Sequence, residues 1–260
     1  MNTNIVVTGV NGRMGSTIAR LVQEDHSIRL AGVLEKQDRL EGLERFGCPF
    51  AADLSEILPK VDNGIVIDFT SPEASLEVAE KCSHHKVGAV MGTTGFNPQQ
   101  LEQLGEYARN TPLFWAPNMS VGINALLKFL PDLLSLLGES YDLELMEIHH
   151  RFKKDAPSGT ALKLAQVLAH ARGLKLDQHG VFTRKGITGE RNDSEIGVQT
   201  LRGGDVVGDH TVYFLGPGER IEVTHRAHSR ETFARGAIRA ARWLAGQKPG
   251  NLYTMADMLS

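Results

Sequence analysis

Short apolar runs alternate with longer segments of helical period through the first half of the chain. Residues 4–8, NIVVT, read as a buried strand. GVNGRMG follows at 9–15 and leads into a helical run from about Arg13 to Glu24, and IRLAGVL at 28–34 is the next strand. Further strands are predicted at 64–70 (GIVIDFT), 86–92 (KVGAVMG) and 112–116 (PLFWA). Between them lie SPEASLEVAEKCSHH, a helix with Ser71 as N-cap and Pro72 at its first position, and NPQQLEQLGEYARN, opened by Asn97 and Pro98. This alternation predicts an α/β fold with a Rossmann-type, doubly wound parallel sheet over roughly the first 120 residues.

The pattern changes after residue 120. A long apolar helix is expected from about Ile123 to Leu137, a strand over 141–150, and a helix over about 159–172 ended by Gly173. Strand candidates then cluster around 181–184, 197–202, 205–207, 209–215 and 220–226 with short Gly-rich joints. That predicts a second, smaller α+β domain on an open mixed or antiparallel sheet, residues 121–230. The tail ETFARGAIRAARWLAG returns to amphipathic helix and is expected to rejoin the first domain, which would then comprise 1–120 plus 231–260.

Composition narrows the field without deciding it. Of the 260 residues, 23% are charged and 41% hydrophobic, ordinary values for a globular protein. A net charge of −3 favours neither nucleic acid nor an anionic membrane as partner. The two cysteines, Cys48 and Cys82, form no C-x-x-C pair, and MNTNIVVTGV lacks the features of a signal peptide, so a cytoplasmic location is expected.

Three features carry candidate chemistry. Gly9, Gly12 and Gly15 form G-x-x-G-x-x-G between a strand and a helix, where glycine permits positive φ and close approach of a pyrophosphate. Glu35 ends the second strand, twenty positions after Gly15, where an acid can accept hydrogen bonds from ribose hydroxyls; Lys36 beside it could meet a 2′-phosphate. GTTG at 92–95 and APNM at 116–119 follow predicted strands at the edge where open α/β sheets bind ligands. The third feature is HHRFKKDAPSGTA, 149–161. Adjacent side chains on a strand point to opposite faces, so His149 and His150 do not chelate one metal together, and no metal site is expected. The run is too short, with Phe152 its single aromatic, for nucleic acid. Its cations, with Ser158, Gly159 and Thr160 opening a helix, suit a carboxylate or two.

GVNGRMG, IDFTSPE, GTTGF, NMSVGIN, EIHHRFKKDAPSGTA and GERIEVTH, in that order over nearly the whole chain, resemble the 4-hydroxy-tetrahydrodipicolinate (dihydrodipicolinate) reductase family. The resemblance implies reduction of a cyclic imine dicarboxylate, hydroxylated or dehydrated, to tetrahydrodipicolinate with NADPH or NADH, in diaminopimelate and lysine biosynthesis, by a homotetramer assembled through its second domain. Carried over by position, Gly9, Val10, Asn11, Gly12, Arg13 and Met14 would contact the pyrophosphate and Glu35 the adenosine ribose, with Lys36 placed for a 2′-phosphate. Phe69, Thr70, Gly92, Thr93, Thr94, Ala116, Pro117, Asn118 and Met119 would line the nicotinamide half. His149 and Lys153 match the family's proton-handling pair, and His150, Gly159 and Thr160 its substrate contacts. Phe152 departs from the family, which often has a polar residue there. On the residues alone two other readings stay open: another two-domain NAD(P)-dependent dehydrogenase, which explains the glycine turn but not the cationic run, or a non-catalytic dinucleotide-binding redox sensor.

Overall fold

The structure, a computed structural model, describes residues 3–260. The chain forms two compact units, one running to Val121 and resuming over Glu231–Ser260, the other Gly122–Arg230.

The first unit is built on β1 (Thr3–Thr8), α1 (Arg13–Glu24), β2 (Ile28–Leu34), β3 (Phe50–Ala51), β4 (Gly64–Asp68), α2 (Pro72–His85), β5 (Gly88–Met91), α3 (Pro98–Ala108) and β6 (Leu113–Trp115). Its seven strands run parallel in the order β12-β6-β5-β4-β1-β2-β3, where β12 (Leu252–Tyr253) comes from the C-terminal segment. Both faces are covered, which is why the central strands are apolar throughout instead of alternating. Ile5, Val7, Ile65 and Ile67 pack with α1 and the late helix α7 (Glu231–Leu244), while Val6, Val66, Ala89 and Met91 pack with α2 and α3. Helix starts follow local chemistry: Ser71 and Asn97 accept from the amides of Ala74 and Gln100, each with Pro at the first helical position.

Strands β4, β5 and β6 are shorter than predicted, ending at Asp68, Met91 and Trp115. Past the ladders the Thr70 amide turns to the Thr93 hydroxyl, while the Gly92 and Ala116 amides reach back to the carbonyls of Asp68 and Met91. Between β2 and β4 the sequence suggests no element; the chain there makes four short 3-10 turns and β3, separated in part by Gly42, Gly47 and Pro49.

The second unit contains α4 (Val121–Leu137), β7 (Asp142–His149), α5 (Gly159–Ala171), α6 (Leu176–His179), β8 (Gly180–Val181), β9 (Ile196–Arg202), β10 (Gly208–Gly216) and β11 (Glu219–Ala227). The sheet order is β11-β10-β7-β9-β8; β10 is antiparallel to both β7 and β11, whereas β7, β9 and β8 are parallel. Leu143, Leu145, Val198, Val212 and Phe214 on one face pack with Ala161, Leu164, Ala165 and Leu168 of α5. The strand expected at 205–207 is instead a turn: Gly204 takes φ +54, and the carbonyls of Gly204 and Val206 accept from the amides of Arg151 and His150. The strand expected around 181–184 is confined to Gly180–Val181. The chain closes with α7, β12 and α8 (Met255–Met258), all in the first unit. Among the described residues no helix is long and apolar enough to cross a membrane.

Candidate functional site

At the carboxyl edge of the first sheet the glycine turn is packed to its limit. Gly9 has φ +58, and a Cβ on Gly15 would sit 2.2 Å from the Gly9 carbonyl oxygen. Only glycines let α1 start this close to β1. Gly12 caps α1 in an extended conformation and no side chain caps the helix start, which is the arrangement that anion-binding helix termini share. Glu35, 8% exposed, accepts from the amides of Asn11 (2.9 Å) and Lys36 (3.0 Å), bracing the turn from β2. Each carboxylate oxygen keeps a second lone pair for a ribose hydroxyl. Val10 lies in the core, Arg13 and Lys36 are exposed, and Met14 is half-buried. A tight turn with exposed amides and an adjacent acid fits the pyrophosphate and ribose of a dinucleotide.

Beside it stands a buried acid that the sequence reading passed over. Asp68, wholly buried at the end of β4, receives the hydroxyls of Thr8 (2.5 Å), Thr70 (2.8 Å) and Thr93 (3.0 Å), with Ser75 against the same carboxylate. These donors come from β1, the turn after β4, the loop after β5, and α2. One carboxylate thus ties a strand end, two loops and a helix together at the carboxyl edge of the sheet. Thr70 also donates its amide to the Thr93 hydroxyl, and Trp115 donates to the Thr93 carbonyl. Phe69 packs its ring where a Cβ on Gly92 would fall, 2.1 Å away. Thr94 and Pro117 are exposed. Ala116 and Met119 are buried, and Asn118 accepts from the amide of Ser120. The side chains of Ala116 and Met119 thus belong to the core.

In the second unit the cationic run is organised by another unanticipated carboxylate. On β7 the residues facing α5 read Leu143, Leu145, Glu147, His149, so the apolar face turns polar at the strand's end. Glu147 is 0% exposed. Register places it beside Thr200 on β9 and His210 on β10, and His149 beside Arg202. Arg202 grips Glu147 with two bonds of 2.8 Å; Thr200 donates at 3.2 Å, the Ser158 amide at 3.0 Å, and His149 Nδ1 lies 2.5 Å from Oε2. Burial alone would raise the Glu147 carboxyl, but Arg202, His149 and the Ser158 amide bring it down to about 2. Burial lowers His149 below its ordinary value despite Glu147, with Lys153 and Arg202 adding to the effect. His210, its ring 5.2 Å from that of His149, is brought to about 4 by burial first and by His149 next.

Ser158 caps α5 through its hydroxyl, which accepts from Ala161 (3.1 Å) and lies 3.1 Å from His210 Nε2. That side chain is buried and committed, so Ser158 serves the helix start from beneath while Gly159 is exposed above it. Lys153 pairs with Asp155 at 3.0 Å and remains partly exposed. His150 sits at the end of β7 on the other face, and Phe152 is 79% exposed. The structure therefore gathers His149, Lys153, Ser158, Gly159 and Thr160 at one end of the second sheet, and the glycine turn, Glu35, Thr70, Gly92 and Thr93 along the edge of the first. Among the described residues no group of three His, Cys, Asp or Glu side chains could hold a metal.

Two family models match, the N-terminus of dihydrodipicolinate reductase over residues 3–119 and its C-terminus over 122–259. The 4-hydroxy-tetrahydrodipicolinate reductase of Oleidesulfovibrio alaskensis is 60% identical over 259 residues, covering both chains completely. That of Nitratidesulfovibrio vulgaris is 61% identical over 258 residues, covering 99% of this chain and 100% of the relative. A solved dipicolinate-bound dihydrodipicolinate reductase from Paenisporosarcina superposes with a TM-score of 0.78 at 26% identity, covering 98% of each chain. Identity at this level over the full length leaves no room for the sensor or for a different dehydrogenase. The chain belongs to the 4-hydroxy-tetrahydrodipicolinate reductase family, whose members work in lysine and diaminopimelate biosynthesis with NADH or NADPH, and it carries that reductase activity.

Proposed function

We propose that the first unit holds the dinucleotide and the second the cyclic imine dicarboxylate. The observation that carries this division is the Glu147-centred cluster, which sets a histidine, a lysine and a capped helix start at one end of the second sheet. Gly9 to Met14 take the pyrophosphate, Glu35 and Lys36 the adenosine edge, and the Phe69–Thr70, Gly92–Thr94 and Ala116–Met119 segments the nicotinamide half. When bound, the nicotinamide supplies the hydride. His150, Gly159 and Thr160, with Ser158 as cap, hold a substrate carboxylate and so orient the ring. Negative charge grows at the substrate nitrogen during reduction; Lys153 offsets it and delivers a proton there, and His149 supplies or relays one. The dipicolinate in the Paenisporosarcina relative, a planar dicarboxylate, supports a site built for two carboxylates.

Glu35 and Lys36 oppose each other at a 2′-phosphate, which favours use of both NADH and NADPH with modest discrimination. The working form is a homotetramer assembled through the second unit, in the cytoplasm. A coupled assay with the preceding synthase, pyruvate and aspartate semialdehyde tests the reading: absorbance at 340 nm should fall only when the synthase product is present. Turnover without that product would overturn it.

A further inference from the structure

We propose that Glu147 is a positioning residue for the reduction: its buried carboxylate holds His149 with the neutral ring's proton on Nδ1 and, through the Ser158 amide, fixes the start of α5 in register with that ring. The proposal rests on the reading that His149 handles the proton.

The geometry supports it in three steps. First, an ionised carboxylate only accepts, so the 2.5 Å contact between Oε2 and Nδ1 requires a proton on Nδ1. The atom left to gain and lose a proton is then Nε2. It points toward Gly208, where a Cβ would lie 2.9 Å away, so this ring position exists because residue 208 has no side chain. Second, the other oxygen, Oε1, takes the Ser158 amide at 3.0 Å. One rigid group therefore spans the imidazole and the helix cap, and a shift of either would move the other. Third, the carboxylate cannot relax elsewhere. It is fully buried, and Arg202 grips both of its oxygens from β9 while Thr200 donates to Oε1. A purely structural ion pair would be complete with Arg202 alone. Here the same acid also meets the histidine and the substrate-side helix.

The charged and titratable groups facing His149 are Glu147 on its own strand, Arg202 on β9, His210 on β10, and Lys153 on the following turn, itself paired with Asp155. Arg202 and Lys153 disfavour an imidazolium, and Glu147 is the carboxylate in contact that favours it. Replacing Glu147 by a neutral amide leaves the cations unopposed and makes His149 harder to protonate.

The test begins with the unaltered enzyme. Nitrogen-15 shifts of labelled histidine, with the His149 signals assigned from His149→Gln, should show the neutral ring protonated on Nδ1. A neutral ring protonated on Nε2 overturns the proposal, whether or not any variant folds. In Glu147→Gln, the limb on which kcat falls as pH rises should move about one unit toward acid, so that kcat at pH 8 drops about tenfold. Glu147→Asp should restore the position of that limb in part. A uniform loss of kcat with an unmoved pH profile would mean that Glu147 is structural only, against the proposal. Near-normal turnover of His149→Gln would sink the underlying reading of His149, while the nitrogen spectrum still decides whether Glu147 fixes the ring.

Discussion

Asp68 and Glu147 are both carboxylates with no exposed surface at or near the end of a central strand, yet they are satisfied in opposite ways. Asp68 meets four neutral hydroxyls, whereas Glu147 meets a guanidinium, an imidazole, a hydroxyl and an amide. The first arrangement gathers loops and presents no counter-charge; its task is shape. The second balances charge within a cluster that contains the proposed proton-handling histidine. A buried charge needs partners in either case, but hydroxyls leave the local field negative and fixed, while Arg and His make it adjustable.

The sharpest test of that contrast is kinetic. His149→Ala and Lys153→Ala should each lower kcat by about 10²–10⁴-fold and leave the KM of the cofactor nearly unchanged. A parallel rise in cofactor KM would erase the division between the two regions. Asp68→Asn should behave in the reverse sense. It should cost about 3–4 kcal/mol in urea unfolding, by turning charge-assisted bonds into neutral or mismatched ones, and should raise cofactor KM more than it lowers kcat. An unchanged KM would show that the hydroxyl cluster serves stability alone.

Acid should weaken the two regions unequally. An unfolded histidine takes up a proton near 6.5, but folded His210 does so only at about 4. Between those values the unfolded chain binds more protons, so stability falls as pH falls through that window, by roughly 3 kcal/mol, and is level above it. Glu147 extends the loss: its folded value of about 2 lies below the ordinary 4.5, so its stabilisation, full above 4.5, drains away as pH falls from there toward 2. His210→Gln, which can still bond Ser158, should flatten the curve between 4 and 6.5. A curve with the same slope would place the acid sensitivity elsewhere.

Two glycines offer a smaller, matched comparison. A methyl at Gly92 meets the Phe69 ring, and one at Gly208 meets the His149 ring. Each alanine variant should lose about 1–3 kcal/mol of stability, but only Gly208→Ala should also disturb the pH dependence of kcat. Smallest of all is Lys36→Ala, which should raise KM for NADPH within about tenfold and spare NADH, since lysine is an exposed, flexible point charge. Equal effects on both cofactors would remove Lys36 from phosphate recognition.

These tests fall on residues of unequal visibility in the sequence. The helices opened by Ser71-Pro72 and Asn97-Pro98 were legible because cap and proline are local signals, and β1, β4 and β5 because burial on both faces makes continuous apolar runs. The glycine turn and the cationic run were legible as motifs. Asp68 and Glu147 were not. Asp68 ends β4 and Glu147 stands two residues before the end of β7; each is one polar residue inside a predicted strand, and its partners lie up to 60 positions away. One clue was available for Glu147: with Leu143, Leu145 and His149 it keeps the two-residue period of a single strand face, so an acid on the buried side called for a cation. Arg202 and His210 become visible only through the register of β9 and β10. The false strand at 205–207 came from Val206-Val207, whose apolar side chains outweighed the reversing Gly203-Gly204 pair.

Helix α7 carries a consequence for how the chain comes off the ribosome. Its Ala234, Ala237, Ile238, Ala241 and Leu244 complete the core on one face of the first sheet, and Gly236 lies so close to the Met119 carbonyl that no side chain fits between them. The loop at 116–119 is thus seated by residues translated more than a hundred positions later, after the whole second unit. Until α7 emerges, the growing first unit lacks part of the cover on this apolar face, and the 116–119 loop lacks the helix packed against it. A product truncated in the second unit would therefore leave the ribosome with that part of the face exposed.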